Sequence, residues 1–300
     1  LLYKSDLSQD KYDKIIFASR EIESVIVPSF IKHICSSSFC HCHKLKTIEF
    51  EENSELETIN DYSFAYSVLD NIKIPSHVKT LGKRIFSFSS LKSIEIPTDS
   101  ELISIGKYAF DNTQIQNLYI PSNFKEFEKY CFISTNQLSD ISVSPNNKHF
   151  TLYNNQFLLY KSDSSSNNYD QLIFASRKIE NNIVIPSFIK TICPYAFSHC
   201  KKLISVEFEK NSELQIIDES AFNNSYIQRI SLPRSLQKIK NRAFGWCKQL
   251  ETIEIPEDSE LDSIEKSAFF FTIIEKIFIP PKLEEFNDPF TNSLVDISVS

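Results

Sequence analysis

The chain has 300 residues and a formal net charge of −7, with 39 acidic and 32 basic side chains. Nucleic acid and anionic membrane surfaces both attract lysine and arginine, so this acidic excess argues against either as a partner. No apolar run reaches the roughly 18 residues of a transmembrane helix, and we predict no direct membrane insertion within the chain.

The start of the chain carries no signal-peptide pattern, and the chain contains no methionine. Its first residues belong instead to an element that is repeated later. We therefore expect the chain to be a fragment of a longer protein, so the missing targeting pattern does not decide its location.

An opening element returns halfway along the chain. The segment Ile15–Arg20 reappears, with one leucine for isoleucine, as Leu172–Arg177 at an offset of 157 residues. This duplication predicts two super-units, residues 1–150 and 151–300, with the second continuous with the first.

Each super-unit is predicted to open with a β-hairpin. In the second the arms are Gln156–Lys161 and Gln171–Ser176, around the polar loop Ser162–Asp170. The first arm of the earlier hairpin is truncated at the start of the chain.

After each hairpin, strand signals follow at one per repeat. A central residue is flanked by apolar residues, as Tyr119 is by Leu118 and Ile120. Side chains alternate along a strand, so the flanking residues should face the core and the central one should face outward. One strand per repeat predicts a stacked parallel sheet. The centres are Ile26, Glu49, Lys73, Glu95, Tyr119 and Ser142, then Val184, Glu207, Ser231, Glu254, Phe278 and Ser298.

A phenylalanine closes every repeat and sets its length. The spacings are 25, 22, 24 and 22 residues in the first group and 25, 22, 25 and 21 in the second. A period of about 20 to 29 residues is typical of a leucine-rich-repeat solenoid, whose units bury their apolar faces only by stacking. We expect these residues to form a buried spine: Phe39, Phe64, Phe86, Phe110, Phe132, Phe197, Phe222, Phe244, Phe269 and Phe290.

The residues before each phenylalanine look helical. Asn60 and Asp218, four positions earlier, would suit the N-cap of a short helical turn. The predicted fold class is therefore an α/β solenoid, β-rich, with a parallel sheet and short helical turns.

The segment Leu91–Phe110 reads Leu-x-x-Ile-x-Ile-Pro, then Leu-x-x-Ile, then Tyr-Ala-Phe. It resembles the BspA-type, or Treponema pallidum-type, leucine-rich repeat, and the resemblance covers nearly the whole chain. It implies a right-handed horseshoe with a concave sheet. It also implies a surface or secreted protein, since such proteins of mucosal bacteria and parasitic protozoa are proposed to bind host or microbial proteins. Glu51 and Glu209 depart from the pattern, which has proline there.

A cluster of histidines and cysteines could suggest zinc, since both are zinc ligands. However, Cys35, His41 and Cys42 align with Cys193, His199 and Cys200 of the second copy, so the repeat already accounts for them. We predict no metal and no cofactor, and seven free cysteines that act as small apolar residues. The six residues of the cluster are His33, Cys35, Cys40, His41, Cys42 and His43.

The outward strand positions are the best candidates for binding. Tyr119 and Phe278 occupy matching strands of the two copies, among mostly polar neighbours. An exposed aromatic side chain is a plausible anchor for a protein partner, although each could instead be covered by its neighbours. The predicted protein-binding residues are Tyr119, Phe278, Glu49, Lys73, Glu95, Glu207 and Glu254.

The sequence thus favours a protein-recognition module of a cell-surface or secreted, adhesin-like protein. Its partner would be a host cell-surface or matrix protein. An intracellular leucine-rich-repeat scaffold is the first alternative, and a hydrolase domain is the second. No recognised catalytic motif is present, so we predict that the chain is not an enzyme. A single glycosylation sequon begins at Asn223.

Overall fold

The computed structural model describes residues 2–4, 12–163, 168–290 and 296–299, in two compact units. Unit one is residues 1–149 and unit two is residues 150–300. Whether they form one continuous solenoid stays a prediction. The strands of unit one are β1 Leu2–Tyr3, β2 Lys14–Ile15, β3 Ser24–Val27, β4 His33–Ile34, β5 Thr47–Phe50, β6 Thr58–Ile59, β7 Asn71–Lys73, β8 Thr80–Leu81, β9 Ser93–Glu95, β10 Ser104–Ile105, β11 Asn117–Ile120, β12 Glu126–Phe127 and β13 Asp140–Val143.

Unit two repeats this order of strands after a fuller hairpin. Its strands are β14 Phe150–Tyr153, β15 Phe157–Tyr160, β16 Gln171–Ala175, β17 Glu180–Ile185, β18 Thr191–Ile192, β19 Lys202–Phe208, β20 Ile216–Ile217, β21 Arg229–Ser231, β22 Lys238–Ile239, β23 Thr252–Glu254, β24 Ser263–Ile264, β25 Lys276–Ile279, β26 Glu285–Phe286 and β27 Asp296–Val299.

The predicted opening hairpins are confirmed. In unit one β1 pairs with β2 antiparallel, and in unit two β15 pairs with β16 antiparallel. Unit two adds β14 on the far side of β15, also antiparallel. Residues 164–167 of the predicted polar loop lie outside the described residues.

The long strands stack in parallel, and all twelve predicted strand centres lie in them. In unit one they form the pairs β3–β5, β7–β9 and β11–β13; in unit two they form the sheet β17–β19–β21–β23 and the pair β25–β27. The predicted alternation is confirmed in β7, where Lys73 is exposed between buried Ile72 and Ile74. The side chain of Ser298 lies outside the described part of the chain.

Each coil also contains a second strand, which the sequence did not predict. These short strands stack in parallel as β2–β4–β6–β8–β10–β12 in unit one and β16–β18–β20–β22–β24–β26 in unit two. Most are only two residues long, as in Ser104–Ile105. Two residues show no alternation, so nothing in such a segment distinguishes a strand from a loop.

The phenylalanine spine is confirmed. Phe222 stacks on Phe197 at 4.8 Å between ring centroids, and Phe244 stacks on Phe222 at 5.1 Å. Nine of the ten rings are buried, and Phe290 is half-buried. A buried phenylalanine contributes about 1.5–3 kcal/mol, so the spine is a substantial part of the apolar core of each unit, together with the buried isoleucine and leucine side chains around it.

The expected helical turns are wrong for the part of the chain that the structure describes, which contains turns there and no helix. Ser38 N–H donates to Cys35 O at 3.2 Å, three residues back, which is why the segment looks helical. Phe39 N–H, however, donates to Ser63 O of the next coil at 2.9 Å. Because alternate N–H groups leave the coil, the i to i−4 ladder of an α-helix cannot form, and Asn60 caps no helix.

We call the residues from two before to two after each marker phenylalanine the turn layer. Its first and last residues have φ between 41° and 65°, without glycine at any of these positions. A left-handed conformation costs about 1–2 kcal/mol for an ordinary residue, and the bonds between coils offset this cost. These residues are Ser37, Tyr62, Arg84, Tyr108, Tyr130, Tyr195, Ser220, Arg242, Ser267 and Asp288 before the ring, and His41, Tyr66, Phe88, Asn112, Ser134, His199, Asn224, Trp246 and Phe271 after it.

An arginine closes the first coil of the turn layer in each unit. In unit two Arg177 is buried and donates to Ala196 O at 2.8 Å and to Tyr195 O at 3.3 Å. In unit one Arg20 donates to Ser38 O at 3.1 Å. Ala196 O and Ser38 O also accept backbone N–H groups, from Ala175 and Ala18 at 2.9 Å, so the arginine adds a second donor to the carbonyls at the start of each turn layer.

The seven cysteines are free thiols, as predicted. Cys42, Cys131, Cys200 and Cys247 are buried, and burial raises the pKa of the Cys247 thiol to about 12. A thiol held in its protonated form reacts slowly, which is consistent with the prediction that these cysteines act as small apolar packing residues.

Candidate protein-binding face

The outward side chains of the long strands form what we call the long-strand face. The register aligns their central residues across the coils, with Ile26 beside Glu49, Lys73 beside Glu95 and Tyr119 beside Ser142. A parallel ladder keeps equivalent residues on the same side of the sheet. The face therefore presents one row of central residues along each unit.

In unit one, three predicted residues meet in one groove. Lys73, Glu95 and Tyr119 line a volume of about 610 Å³, together with Asn71 and Asn117. Lys73 Nζ lies 3.0 Å from Glu95 Oε1, and both side chains are exposed, so the pair contributes little to stability. Tyr119 is half-buried between buried neighbours.

Glu49 lies in a neighbouring groove of unit one. That groove has a volume of about 590 Å³ and shares Lys73 with the first, while Glu51 and Glu52 add two carboxyl groups. All four predicted residues of unit one are thus neighbours along one face. Among these four predicted residues the face of unit one is acidic, with two glutamates, one lysine and one tyrosine.

In unit two, the predicted residues lie on one row but not in one groove. Glu207 lines a groove of about 640 Å³ with Ser231 and Arg234. Ser231 Oγ–H donates to the carboxylate of Glu254. Phe278 is half-buried and packs against the apolar core of unit two. Only part of its ring is therefore available to a partner.

Two exposed aliphatic residues on the same row were missed as site residues. Ile26 is 63% exposed and Val184 is 50% exposed, at equivalent strands of the two units. Because the strand signal had already marked both as outward centres, an apolar residue at such a centre was the available clue.

The turn layer carries a second set of exposed aromatic side chains that sequence reasoning also missed. Tyr66 stacks on His41 at 4.6 Å and on Phe88 at 5.2 Å, and Trp246 stacks on Phe271 at 4.3 Å. These rings cover one another's faces. Within the described residues no aromatic ring stacks on Tyr119, which leaves its ring face for other contacts. The sequence signal for these exposed rings was their position two residues after a marker phenylalanine.

The histidine and cysteine cluster does not converge. Cys42 is buried, whereas His41 and His43 point outward with ring centroids 5.5 Å apart. Over the ranges that the structure describes, no group of three or more histidine, cysteine or acidic side chains is placed to hold a metal ion. The same ranges contain no helix long and apolar enough to cross a membrane.

The repeat register, the buried spine and the stacked strands agree with one protein family. A family profile described as the BspA-type leucine-rich repeat region, with 6 copies, matches residues 11–139 and 167–294. The chain belongs to the BspA-type leucine-rich repeat family. This repeat solenoid is typical of non-enzymatic proteins, and a leucine-rich-repeat surface fits protein interaction.

Solved structures of BspA-like proteins share the fold. The pneumococcal vaccine antigen PcpA is 26% identical, with a TM-score of 0.69, over 92% of this chain and 62% of that chain. A leucine-rich cell surface protein from Faecalibacterium prausnitzii is 23% identical, with a TM-score of 0.73, over 93% of this chain and 79% of that one. The chain therefore spans less than two thirds of PcpA. A comparison with curated protein sequences gives no significant match.

Proposed function

We propose that the chain is a protein-recognition module of a cell-surface or secreted, adhesin-like protein, and that it binds through the long-strand face. The observation that carries this proposal is the groove of unit one, where Tyr119 lies beside the paired Lys73 and Glu95. A partly buried aromatic side chain within a polar surround is a common anchor in protein interfaces. The right-handed concave arrangement implied by the resemblance would put this face on the inside of the coil stack.

The carboxylates of the face favour a basic partner surface. Glu49, Glu95, Glu207 and Glu254 are all exposed, and only Glu95 has a lysine partner on the row. Exposed charges at an interface act mainly on the association rate and its salt dependence. A host cell-surface or matrix protein with a basic patch is the partner that we propose.

The likeness to PcpA supports a location at the cell surface or outside the cell. PcpA is described as a vaccine antigen, and the likeness extends over 92% of this chain. The proposal for this chain extends only to recognition, because PcpA contains further regions outside the match.

The test is capture of proteins from host-cell surface extracts by the purified chain, followed by affinity measurement with the captured protein. We expect Tyr119→Ala to weaken binding by about 1–3 kcal/mol, as for an interface anchor, without changing the thermal unfolding curve. Glu254→Gln should lower the association rate at low salt and leave it unchanged at high salt.

The matched control is Tyr66→Ala, which removes an exposed ring from the turn layer and leaves the long-strand face intact. Phe278→Leu keeps an apolar contact with the core, so it separates loss of binding from loss of packing. If Tyr66→Ala weakens binding and Tyr119→Ala does not, the partner binds at the turn layer and the proposal is wrong.

A further inference from the structure

The rows of central residues in the two units have the same chemical order. From the first long strand onward they read aliphatic, glutamate, polar, glutamate, aromatic and serine. In unit one the row is Ile26, Glu49, Lys73, Glu95, Tyr119 and Ser142, and in unit two it is Val184, Glu207, Ser231, Glu254, Phe278 and Ser298.

Packing does not require this agreement at the exposed positions of the row, because their side chains face outward, whereas Tyr119 and Phe278 are half-buried. The turn layer offers an internal comparison at outward positions of the same coils. Two residues after the marker, His41 corresponds to His199 and Phe88 to Trp246, whereas Tyr66 corresponds to Asn224 and Asn112 to Phe271. Two of these four pairs therefore change their chemical class between the units. The long-strand face has kept the chemical class at all six positions, whereas this position of the turn layer has kept it at two of four.

The row also has a fixed spacing. Hydrogen-bonded strands lie about 4.8 Å apart, and the long strands of unit one are paired as β3–β5, β7–β9 and β11–β13. Ile26 and Tyr119, four strands apart, are therefore separated by at least about 19 Å, and Glu49 and Glu95, between them, by at least about 10 Å. In unit two β17 to β23 form one sheet, and Phe278 lies on β25 of the next pair. Each row thus places two acidic groups between two apolar ends.

The face is narrow across β7 of unit one, where only Asn71 and Lys73 point outward, and residues two apart on a strand are separated by about 7 Å. In unit two β17 and β19 are longer, with 6 and 7 residues. An α-helix with its side chains is about 10–12 Å wide, whereas a single extended chain fits this width. An extended segment advances about 3.3 Å per residue, so about 19 Å corresponds to roughly six residues.

From these observations we infer that each unit binds one short extended protein segment carrying two basic residues between two apolar residues. The chain would then have one such site in each unit, and the site of unit one also carries Lys73, which is paired with Glu95. Ile26 and Val184 would be anchors alongside Tyr119 and Phe278, and the glutamates would meet the basic side chains. This inference rests on the proposed function and specifies its partner.

The probe is a capped heptapeptide with the sequence leucine–serine–lysine–serine–lysine–serine–leucine. In an extended chain its leucines and lysines face the same side, with lysines between the apolar ends. Isothermal titration of the whole chain at low salt should show two bound peptides per chain. A control peptide with glutamate in place of both lysines should bind at least about tenfold more weakly, because it faces carboxylates.

Charge reversal in one unit at a time separates the two sites. Glu95→Lys should leave only the site of unit two, and Glu254→Lys should leave only the site of unit one. Both residues are exposed, so both variants should fold. Ile26→Ser should weaken the site of unit one by about tenfold, the effect of losing a central apolar anchor.

Three results would overturn the inference. One is a stoichiometry of one or none, another is equal binding of the acidic peptide, and the third is two sites in both charge-reversal variants. The proposed function fails separately, because it predicts that a captured surface protein is lost with Tyr119→Ala. If that capture depends on Tyr119 while the peptide does not bind, only the inference about the segment is wrong.

Discussion

The turn layer and the long-strand face belong to the same coils and repeat with the same period, yet they obey different constraints. In the turn layer, Phe244 is buried, stacks on two neighbouring rings and donates its N–H to Ala268 O at 2.8 Å. On the long-strand face, Glu254 is exposed and bonds only a serine hydroxyl within the described residues. A residue that repeats in the turn layer is therefore needed for packing, whereas a residue that repeats on the long-strand face is exposed and available for binding.

The largest expected effect tests the packing side of this comparison. Phe244→Ala should lower the free energy of unfolding by about 3–5 kcal/mol, because it removes a buried ring and leaves a cavity. Urea unfolding measures the loss. The matched control on the same repeat is Glu254→Ala, which should change stability by less than about 0.5 kcal/mol. Similar losses in the two variants would remove the distinction between the regions.

The second-largest effect is expected from the arginine at the start of the turn layer. Arg177→Ala should destabilise unit two by about 1–3 kcal/mol, because it removes a donor from the buried carbonyl of Ala196 and from the partly buried carbonyl of Tyr195. Thermal unfolding measures the change. Arg20→Ala in unit one should cost less, since Arg20 is only half-buried and water can reach its acceptors. A larger loss from Arg20→Ala would contradict this account.

The stability of unit two should also depend on pH, through a histidine of the turn layer. Burial, reinforced by the positive charges of Arg177 and Lys201, lowers the pKa of His199 to about 4. The unfolded chain binds this proton near pH 6.5, so stability should fall as the pH drops from about 6.5 and level off below about 4. Comparison of urea midpoints with His199→Gln isolates the effect. A difference between the two proteins that stays constant from pH 7 to pH 4 would exclude this role.

The smallest effect concerns the backbone. Ser37 is exposed with φ of 60°, and its neighbour Ser36 is exposed without a positive φ. Ser37→Gly should stabilise unit one by about 0.5–1 kcal/mol, because glycine adopts this conformation without strain. Ser36→Gly should destabilise it slightly through the entropy of the unfolded chain. Thermal melts of the two variants that shift in the same direction would contradict the assignment.

Much of the fold could be predicted because its determinants are periodic. The phenylalanine register located every coil, and alternation around residues such as Lys73 located every long strand. The turn layer could not be predicted in the same way. Its i to i−3 bonds produce a helical pattern in segments such as Tyr62–Phe64, where Ser63 N–H donates to Asn60 O, while Tyr62 N–H and Phe64 N–H donate to Lys83 O and Ile85 O, 21 positions away. Positive φ at tyrosine or arginine leaves no mark in the sequence.

The candidate site was predictable only in part. Alternation identified Tyr119 and Glu95 as outward, but only the packed coils show that they share a groove with Lys73. The partial burial of Phe278 depends on the neighbouring core, which no local pattern encodes. The role of Arg177 depends on its place at the first coil of unit two, which only the folded chain shows. The available sequence clue was that the duplicated segment has an arginine at this position in both copies, Arg20 and Arg177.

The direction of the bonds between coils in the turn layer has an electrostatic consequence. In the turn layer of unit two, alternate N–H groups point toward the following coil and the carbonyls that accept them point back, as for the N–H groups of Phe197, Phe222, Phe244 and Phe269. Aligned peptide dipoles of this kind add up, as they do in a helix, to a partial negative charge at the carbonyl end. Arg177 lies at that end, where the carbonyl oxygens attract its positive charge while burial of the guanidinium lowers its pKa. The turn layer of unit two thus has an electrical polarity along its stack, with a positive side chain at its negative end.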